Sequence, residues 1–235
     1  MADDTDLDAQ VRRADPDRWL ASRFIGDIEV RSDVIALYGL NLELSRAAEV
    51  ASQPLIGEMR LAWWREAVEE IFEGRTVRRH PIAQALTQAI RRRALPRAGL
   101  DALIDARLRD LEPWPLEPDE VEAYVDATAG GLMALAAMAL VPEADPTAVR
   151  HAGRAWGLAG LARLGRLPAG WGGAEVRGRV AEALARARSE LRTLPVAAFP
   201  AVAYAALARA YARGRELPDL GKRLRLTWAV ARGRI

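Results

Sequence analysis

The residues of this chain whose types suit chemistry are concentrated between positions 34 and 66. In this mostly apolar stretch, Asn41 and Glu43 precede Arg60 and Arg65. A buried amide or carboxylate is costly unless it is paired, so each needs a partner or a binding role. Asn41 and Glu43 either hold a ligand or partner, or are neutralised by Arg60 or Arg65 where two helices cross.

Further residues of this stretch are candidates for ligand binding. Ser45 and Glu49 lie four residues apart, so on a helix they share one face. We expect different roles for the neighbouring tryptophans. Trp63 falls on a core stripe and should pack in the core, whereas Trp64 suits either packing or contact with a ligand. We expect no metal role for His80 and His151, because neither has a ligand partner at metal-binding spacing.

Two helices must position these residues. The first opens at Ser32-Asp33 and closes near Ser52, and it is apolar nearly all round, as is typical of a buried helix. The second runs from about Leu55 to Glu73 and stops at Gly74. The spacing of its apolar residues predicts a core face made of Ile56, Met59, Trp63, Ala67 and Ile71.

Composition predicts an all-α protein that forms a single orthogonal helical bundle. The chain has 235 residues and is 51% hydrophobic, which is enough for a sizeable core. Alanine, leucine and arginine dominate, and the prolines fall between the predicted helices. Residues 1–14, which carry four aspartates, are predicted to be an acidic flexible tail, and residues 15–235 a single helical domain.

The charge pattern argues against binding to nucleic acid. The formal net charge is +2, and acidic and basic residues alternate along most of the chain. The one dense basic run, Arg91–Arg93, is expected to be a solvated helix end. There is no cysteine, which excludes disulfides and thiolate metal sites. No run of about 18 apolar residues is found, so we expect a cytoplasmic protein without a signal peptide or membrane span.

One predicted helix, from Pro118 to Leu140, becomes almost wholly apolar toward its end and contains Gly130-Gly131. Glycine in a helix interior costs about 1 kcal/mol relative to alanine, so the pair needs an explanation. Close approach of another helix is one explanation, and a cleft wall that leaves room for a ligand chain is the other.

The order of several segments resembles the squalene/phytoene synthase family, the head-to-head prenyl synthases. The segments that carry the resemblance are Asp17–Phe24, Ala36–Tyr38, Gly57–Ala67, Leu103–Leu111, Tyr124–Leu140, Gly153–Arg163 and Leu224–Trp228. The resemblance implies the isoprenoid synthase fold. In active members two aspartate-rich helices hold Mg²⁺ against the substrate diphosphates. Asp110 matches a family position near the cavity.

Both aspartate-rich motifs are altered in this chain. The window for the first reads Ser45-Arg46-Ala47-Ala48-Glu49, in which Glu49 is the one carboxylate and Arg46 brings a positive charge. The second should lie near the end of the helix that reaches Leu164, but residues 151–173 contain no Asp or Glu. Without carboxylates there, a Mg²⁺–diphosphate cluster lacks its second wall.

The segments Asn41-x-Glu43-Leu44 and Gly57-x-x-Arg60-Leu61-x-Trp63-Trp64-Arg65 look closer to a divergent branch that lacks intact aspartate motifs. That branch includes the mitochondrial complex I assembly factor and its bacterial relatives. The resemblance implies a non-catalytic or differently acting protein of the prenyl-synthase fold, without cofactor unless it is a prenyltransferase that uses Mg²⁺. Its partners would be respiratory complex subunits or a prenyl or lipid ligand, with peripheral contact at the inner membrane.

Three hypotheses follow from the sequence. The first is a non-catalytic protein of the prenyl-synthase type that acts by binding, in respiratory complex I assembly. The second is a Mg²⁺-dependent prenyltransferase with altered ligands, which would use Glu49, Asp110 and arginines for the diphosphates. The third is a plain helical interaction module. The candidate cavity or ligand-binding residues are Asn41, Glu43, Ser45, Glu49, Arg60, Trp64, Arg65 and Asp110, and none is assigned a catalytic role.

Overall fold

The computed structural model describes residues 6–49 and 53–235 and confirms the all-α prediction. It is 76% helical, and none of the described residues lies in a strand. The described residues gather in two compact units that divide between Glu112 and Pro113. The prediction of one domain over residues 15–235 stays a prediction, and each unit is described by itself.

The first unit is built around one long buried helix. This helix, α3, is buried along Val34–Asn41 and contacts α1, α4 and α5. Asp27 precedes it and accepts hydrogen bonds from the backbone N–H groups of Glu29 and Val30. The helices are α1 (Leu7–Ala14), α2 (Pro16–Ser22), α3 (Ile28–Glu49), α4 (Pro54–Phe72), α5 (Pro81–Arg93) and α6 (Arg97–Ala106), with a 3₁₀ turn over Arg107–Leu111.

The prediction of a flexible tail over residues 1–14 is wrong for Leu7–Ala14, which form α1. The Asp6 carboxylate accepts hydrogen bonds from the first backbone N–H groups of the helix, as N-cap residues do. Val11 is fully buried, because α1 packs against α3. The acidic residues that suggested a solvated tail therefore include the cap of a helix. Residues 1–5 lie outside the described part of the chain.

The predicted core face of α4 is wrong at three of its five positions. Met59 is 65% exposed and Ile56 is also exposed, while Trp63 is half-buried. The face that packs inward is rotated by about one residue and consists of Gly57, Leu61, Trp64, Ala67, Val68 and Ile71.

Gly57 explains the rotation of α4. A Cβ atom at this position would lie 2.3 Å from a methyl group of Leu111 and 3.2 Å from the carbonyl oxygen of Ala47. The absence of a side chain therefore lets α4 approach its neighbours closely. A pattern that counts large apolar residues gives glycine no weight and misplaces the contact by one position.

Two arginines of the dense basic run hold a buried carboxylate. Asp33 on α3 is 1% exposed, and it accepts hydrogen bonds from Arg92 (2.6 Å) and Arg93 (2.8 Å) at the end of α5. Both arginines lie at a helix end and stay partly exposed to solvent, as expected, and they also pair with a buried carboxylate. Their side chains join α5 to the centre of the unit.

The second unit is arranged around α9. Its helices are α7 (Pro118–Val125), a π-helical turn (Asp126–Gly130), α8 (Gly131–Leu140), α9 (Arg150–Arg163), α10 (Gly173–Glu190), α11 (Ala208–Tyr211) and α12 (Asp219–Arg232). Three 3₁₀ segments, Pro146–Val149, Val196–Ala201 and Ala203–Leu207, complete it. α9 contacts α10, α11 and the π-helical turn.

Gly130 serves close packing, as one of the two sequence explanations predicts. A Cβ atom on Gly153 of α9 would lie 2.4 Å from Cα and 2.9 Å from N of Gly130. Arg154 follows and forms a two-pronged ion pair with Asp126 in the π-helical turn. Hydrogen bonding to Asp126 raises the pKa of Arg154, so the guanidinium stays charged.

The continuous helical stretch Pro118–Leu140 is long and apolar enough to cross a membrane by those two measures alone. The core helix of a water-soluble protein passes the same test, and 56% of its most apolar window is buried inside the protein. The sequence analysis used a stricter criterion, an uninterrupted run of about 18 apolar residues. Its expectation that the chain has no membrane span stays a prediction.

Candidate functional site

Asn41 and Asp110, two of the candidate residues, are joined by Arg107. The Arg107 guanidinium donates to Asn41 Oδ1 at 2.8 Å and to Asp110 Oδ2 at 3.0 Å. Asn41 is 7% exposed, and the Asp110 and Arg107 side chains are 4% and 12% exposed. The 3₁₀ turn after α6 positions Arg107 and Asp110, which are three residues apart. The three side chains form a buried polar network between α3 and this turn.

A cleft of about 410 Å³ lies beside α4 and is called the α4 cleft here. Its walls combine the exposed apolar side chains of α4 with polar groups, and its lining residues are Glu43, Ile56, Met59, Arg60, Trp63, Trp64 and His80. Three of these residues, Glu43, Arg60 and Trp64, are candidates from the sequence. The cleft offers apolar contact, one carboxylate and one guanidinium to a bound group.

The aromatic wall of the α4 cleft is a cluster of three rings. Trp63 and Trp64 meet edge to face with centroids 4.9 Å apart, and His80 lies 5.1 Å from Trp64. The guanidinium of Arg78 covers Trp63 at 4.9 Å. Hydrogen bonding to Glu66 raises the pKa of Arg78, so this cation is permanent. Edge-to-face contacts of this kind are favourable, so the three rings support one another in the cleft wall.

A second cavity, of about 600 Å³, shares Glu43 and His80 with the α4 cleft. It is lined by Gln10, Arg13, Ala14, Glu43, Arg46, His80, Pro81 and Ile82. Glu43 accepts a hydrogen bond from Arg46 at 3.1 Å, so its charge is already balanced within α3. Gln10, Arg13 and Ala14 belong to α1, so part of the segment that the sequence predicts to be a tail lines this cavity.

The predicted pairing of Asn41 and Glu43 with Arg60 or Arg65 is wrong. Arg65 is exposed and forms an ion pair with Asp105 of α6. Arg60 is exposed and lines the α4 cleft. The partners are Arg107 and Arg46 instead, because Asn41 turns toward the 3₁₀ turn and Glu43 lies one helical turn from Arg46.

The remaining candidates lie apart from the cleft and the buried network. The Ser45 hydroxyl donates to the carbonyl oxygen of Leu42 at 2.9 Å, a local bond within α3. Glu49 is the exposed last residue of α3. Trp64 is 3% exposed and packs in the core while its ring edge borders the cleft.

Sequence reasoning missed Arg107, His80 and Met59. Arg107 and Asp110 are three residues apart, which is the spacing of a local ion pair on a helix. This spacing could have predicted their pairing. The sequence predicts His80 to be an isolated histidine. In the structure it directly precedes the helix start at Pro81 and lies near Trp63 and Trp64. Met59 was assigned to the core by the misplaced face of α4.

The residues do not fit the Mg²⁺ site that the family resemblance implies. Among residues 6–49 and 53–235, no group of three or more His, Asp or Glu side chains is close enough to hold a metal ion. In the window of the first motif, Arg46 takes Glu43 as its partner. Asp110, the carboxylate matched to a position near the cavity, is bonded to Arg107.

The family profile described as Squalene/phytoene synthase matches residues 11–165. NADH dehydrogenase (ubiquinone) complex I, assembly factor 6, from Bos taurus and from Homo sapiens, is 30% identical over 126 residues. These alignments cover 53% of this chain and 37% of either relative, so the chain spans little more than a third of the relatives' length. A Drosophila melanogaster homolog is 29% identical over 142 residues, with 57% and 42% covered.

Two solved structures share the fold. A dehydrosqualene synthase in complex with ligand superposes with a TM-score of 0.73 at 13% identity, covering 96% of this chain and 94% of that one. The squalene synthase HpnC from Alicyclobacillus acidocaldarius superposes with a TM-score of 0.66 at 16% identity, covering 98% and 94%. The isoprenoid synthase fold is therefore confirmed, and the chain belongs to the squalene/phytoene synthase family.

Proposed function

We propose that this protein is a non-catalytic member of its family that acts by binding, in the assembly of respiratory complex I. The observation that carries the proposal is the internal pairing of the polar groups beside the window of the family's first metal motif. Arg107 bonds both Asn41 and Asp110, and Arg46 bonds Glu43. Residues 151–173, where the second motif belongs, contain no acid. The likeness to complex I assembly factor 6 supports the role in assembly.

The α4 cleft is the proposed contact surface for an apolar segment of a respiratory complex subunit. Met59 and Ile56 present apolar side chains to solvent beside Trp63, and large aromatic and methionine side chains are enriched at protein interfaces. Arg60 supplies an exposed positive charge beside them, which would fix the orientation of the bound segment. Under this proposal the protein needs no cofactor. Its proposed place is cytoplasmic, at the surface of the inner membrane.

The first test is for turnover. The purified protein is incubated with Mg²⁺ and farnesyl or geranylgeranyl diphosphate, beside a family member whose aspartate motifs are intact. We expect no product that joins two prenyl chains, because the described carboxylates do not form a metal cluster. A coupled hydrocarbon from this protein alone would overturn the non-catalytic proposal and favour a prenyltransferase with altered ligands.

The second test addresses assembly. The gene is deleted in its host, and complex I is followed by the NADH oxidation activity of isolated membranes. Wild type should restore this activity, whereas Met59→Asp should not, because a charge at the cleft opposes apolar contact. Ile28→Asp, on an equally exposed apolar residue of the same unit that does not line the cleft, is the matched control and should restore it. Intact complex I after deletion would contradict the assembly role.

A further inference from the structure

The last long helix of the second unit has two apolar faces. Leu226 and Ala229 are buried, and α12 contacts the 3₁₀ segment Ala203–Leu207. Three large side chains of the same helix are exposed: Leu220 by 68%, Leu224 by 63% and Trp228 by 61%. The helix is thus fixed to the unit on one side, and its other side is apolar where a surface helix is ordinarily polar.

The three exposed side chains form a continuous ridge. Leu220, Leu224 and Trp228 follow one another at intervals of four residues, so each lies about 5–6 Å from the next on one helix face. A single exposed leucine needs no explanation, but an apolar ridge of this length marks a contact surface. We call these three residues the α12 ridge.

Arginines flank the α12 ridge on both sides. At about 100° per residue, Arg223 lies on one flank, and Arg225 and Arg232 lie on the other. All three are exposed. The Arg232 guanidinium lies 3.9 Å from the centroid of the Trp228 ring, which keeps this cation beside the ridge.

The surroundings of the ridge are also cationic. Residues 209–234 contain eight arginine or lysine residues and two carboxylates, Glu216 and Asp219. Glu216 is bonded to Arg163 at 2.8 Å, and Asp219 lies in the first turn of α12. Lys222 turns toward the inner side of the helix, with its ammonium 5.7 Å from the Tyr211 ring. The ridge is therefore apolar and its borders are positive.

We propose that α12 is a membrane-docking helix that lays Leu220, Leu224 and Trp228 into the headgroup region of an anionic bilayer. Leucine and tryptophan on one face with arginines beside them is the composition of helices that lie in a membrane interface. Long arginine side chains reach lipid phosphates while their stems follow the apolar surface. A protruding ridge fits a fluid bilayer directly, whereas a protein partner would need a matching acidic groove.

The full chain is tested for binding to vesicles of phosphatidylcholine alone or mixed with phosphatidylglycerol, by flotation at low and high salt. We expect at least about tenfold more binding to the anionic vesicles, reduced by salt because exposed charges are screened. No binding to anionic vesicles, or equal binding to both kinds, would overturn the proposal. The first of these results would favour an acidic protein partner instead.

A matched pair of variants locates the contact. Leu224→Asp should lower binding to anionic vesicles by about tenfold or more, because it removes apolar contact and adds a repelled charge. Leu164→Asp is the control: Leu164 is 68% exposed in the same unit and lies outside α12. Equal losses in the two variants would overturn the assignment to α12. Both positions are exposed, so circular dichroism should show intact folding.

A second measurement does not depend on lost binding. The sequence has no cysteine, so Leu224→Cys accepts a single environment-sensitive fluorophore. Its emission should shift to the blue with anionic vesicles, while the same label on Leu164→Cys should not shift. An unchanged label at position 224 on a protein that does bind vesicles would overturn the proposal. This proposal concerns a different surface from the α4 cleft, so it stands or falls separately from the role in complex I.

Discussion

Arg107 is the residue on which the buried network of the first unit depends. Its loss would leave the Asp110 carboxylate and the Asn41 amide buried without their shared donor. We expect Arg107→Met to lower the free energy of unfolding by about 2–4 kcal/mol, as is typical when one partner of a buried pair is removed. Urea unfolding followed by circular dichroism measures this loss.

Arg65→Met is the matched control for Arg107→Met. Arg65 also pairs with an aspartate, but both side chains are about half exposed. Exposed ion pairs contribute less than about 1 kcal/mol, so this variant should unfold close to wild type. If the two variants lost equal stability, the network around Arg107 would not be the buried contact described above.

Asp27 provides a pH-dependent contribution to α3. Backbone N–H groups of Val30 and Glu29 donate to its carboxylate and lower its pKa below the ordinary value of 3.8. Stability from this group is therefore fully present above the ordinary pKa and is lost as pH falls through the lowered value. We expect Asp27→Ala to unfold at lower urea than wild type at pH 7, with the gap closing below about pH 4.

The Asp27→Asn variant separates the hydrogen bonds of the cap from its charge. An asparagine oxygen still accepts the two backbone N–H bonds, so its unfolding should resemble wild type at pH 7. Suppose instead that the urea midpoints of wild type and Asp27→Ala differ by the same amount at pH 7 and at acidic pH. That result would show that Asp27 does not act through its ionised form.

At this scale the sequence predicts that buried polar residues need partners, and it does not identify those partners. Asn41 and Glu43 were correctly chosen as residues that require pairing. The choice among arginines failed because Arg60, Arg65 and Arg107 look alike in sequence. The turn geometry after α6 decides between them.

Gly153 allows close contact between α9 and the π-helical turn of the second unit. Any side chain here meets the backbone of Gly130, which cannot move aside as a flexible side chain can. We expect Gly153→Ala to lower the free energy of unfolding by about 3 kcal/mol, toward the upper end of the range for overpacked cores. Thermal and urea unfolding measure the change.

Gly160 lies on the same helix and provides the comparison. A Cβ atom there would meet no other atom within 4 Å. Gly160→Ala should therefore raise stability by up to about 1 kcal/mol through helix propensity. If Gly153→Ala left the free energy of unfolding unchanged, α9 would not cross the π-helical turn as closely as described.

At the scale of elements, helix existence could be predicted and helix orientation could not. The predicted helix around α4 is present with each end within one residue. The helix α3 begins four residues before the predicted start at Ser32, and its predicted end near Ser52 lies outside the described residues. The face of α4 was misplaced because its closest contact is made by Gly57. The π-helical turn over Asp126–Gly130 also escaped prediction, since an apolar run carries no mark of one extra residue in a turn.

For the whole molecule, we expect no stabilisation that depends on Mg²⁺. A ligand at one hundred times its Kd would add about 2.7 kcal/mol, a shift of several degrees in Tm for a chain of this size. With farnesyl diphosphate present, Tm in Mg²⁺ and in chelator should agree within about 1 °C. A family member with intact aspartate motifs is the control, and a clear Mg²⁺-dependent shift in this protein would contradict the assignment.

The family could be predicted from the order of its sequence segments, and the loss of acids could be read directly from positions 45–49 and 151–173. The α4 cleft and the α12 ridge could not be predicted. The apolar wall of the cleft, Ile56, Met59 and Trp63, falls on the face that periodicity assigns to a core, and only the packed structure shows which face of a helix is left exposed.

Lys222 has a practical consequence, because it is the one lysine of the sequence. The one side chain of this chain that an amine-reactive cross-linker can modify therefore lies within α12. Any neighbour linked to that side chain must lie within reach of one known atom, Nζ of Lys222. A lysine-specific modification in the cell would likewise change the charge of this helix and leave every arginine network of the protein intact.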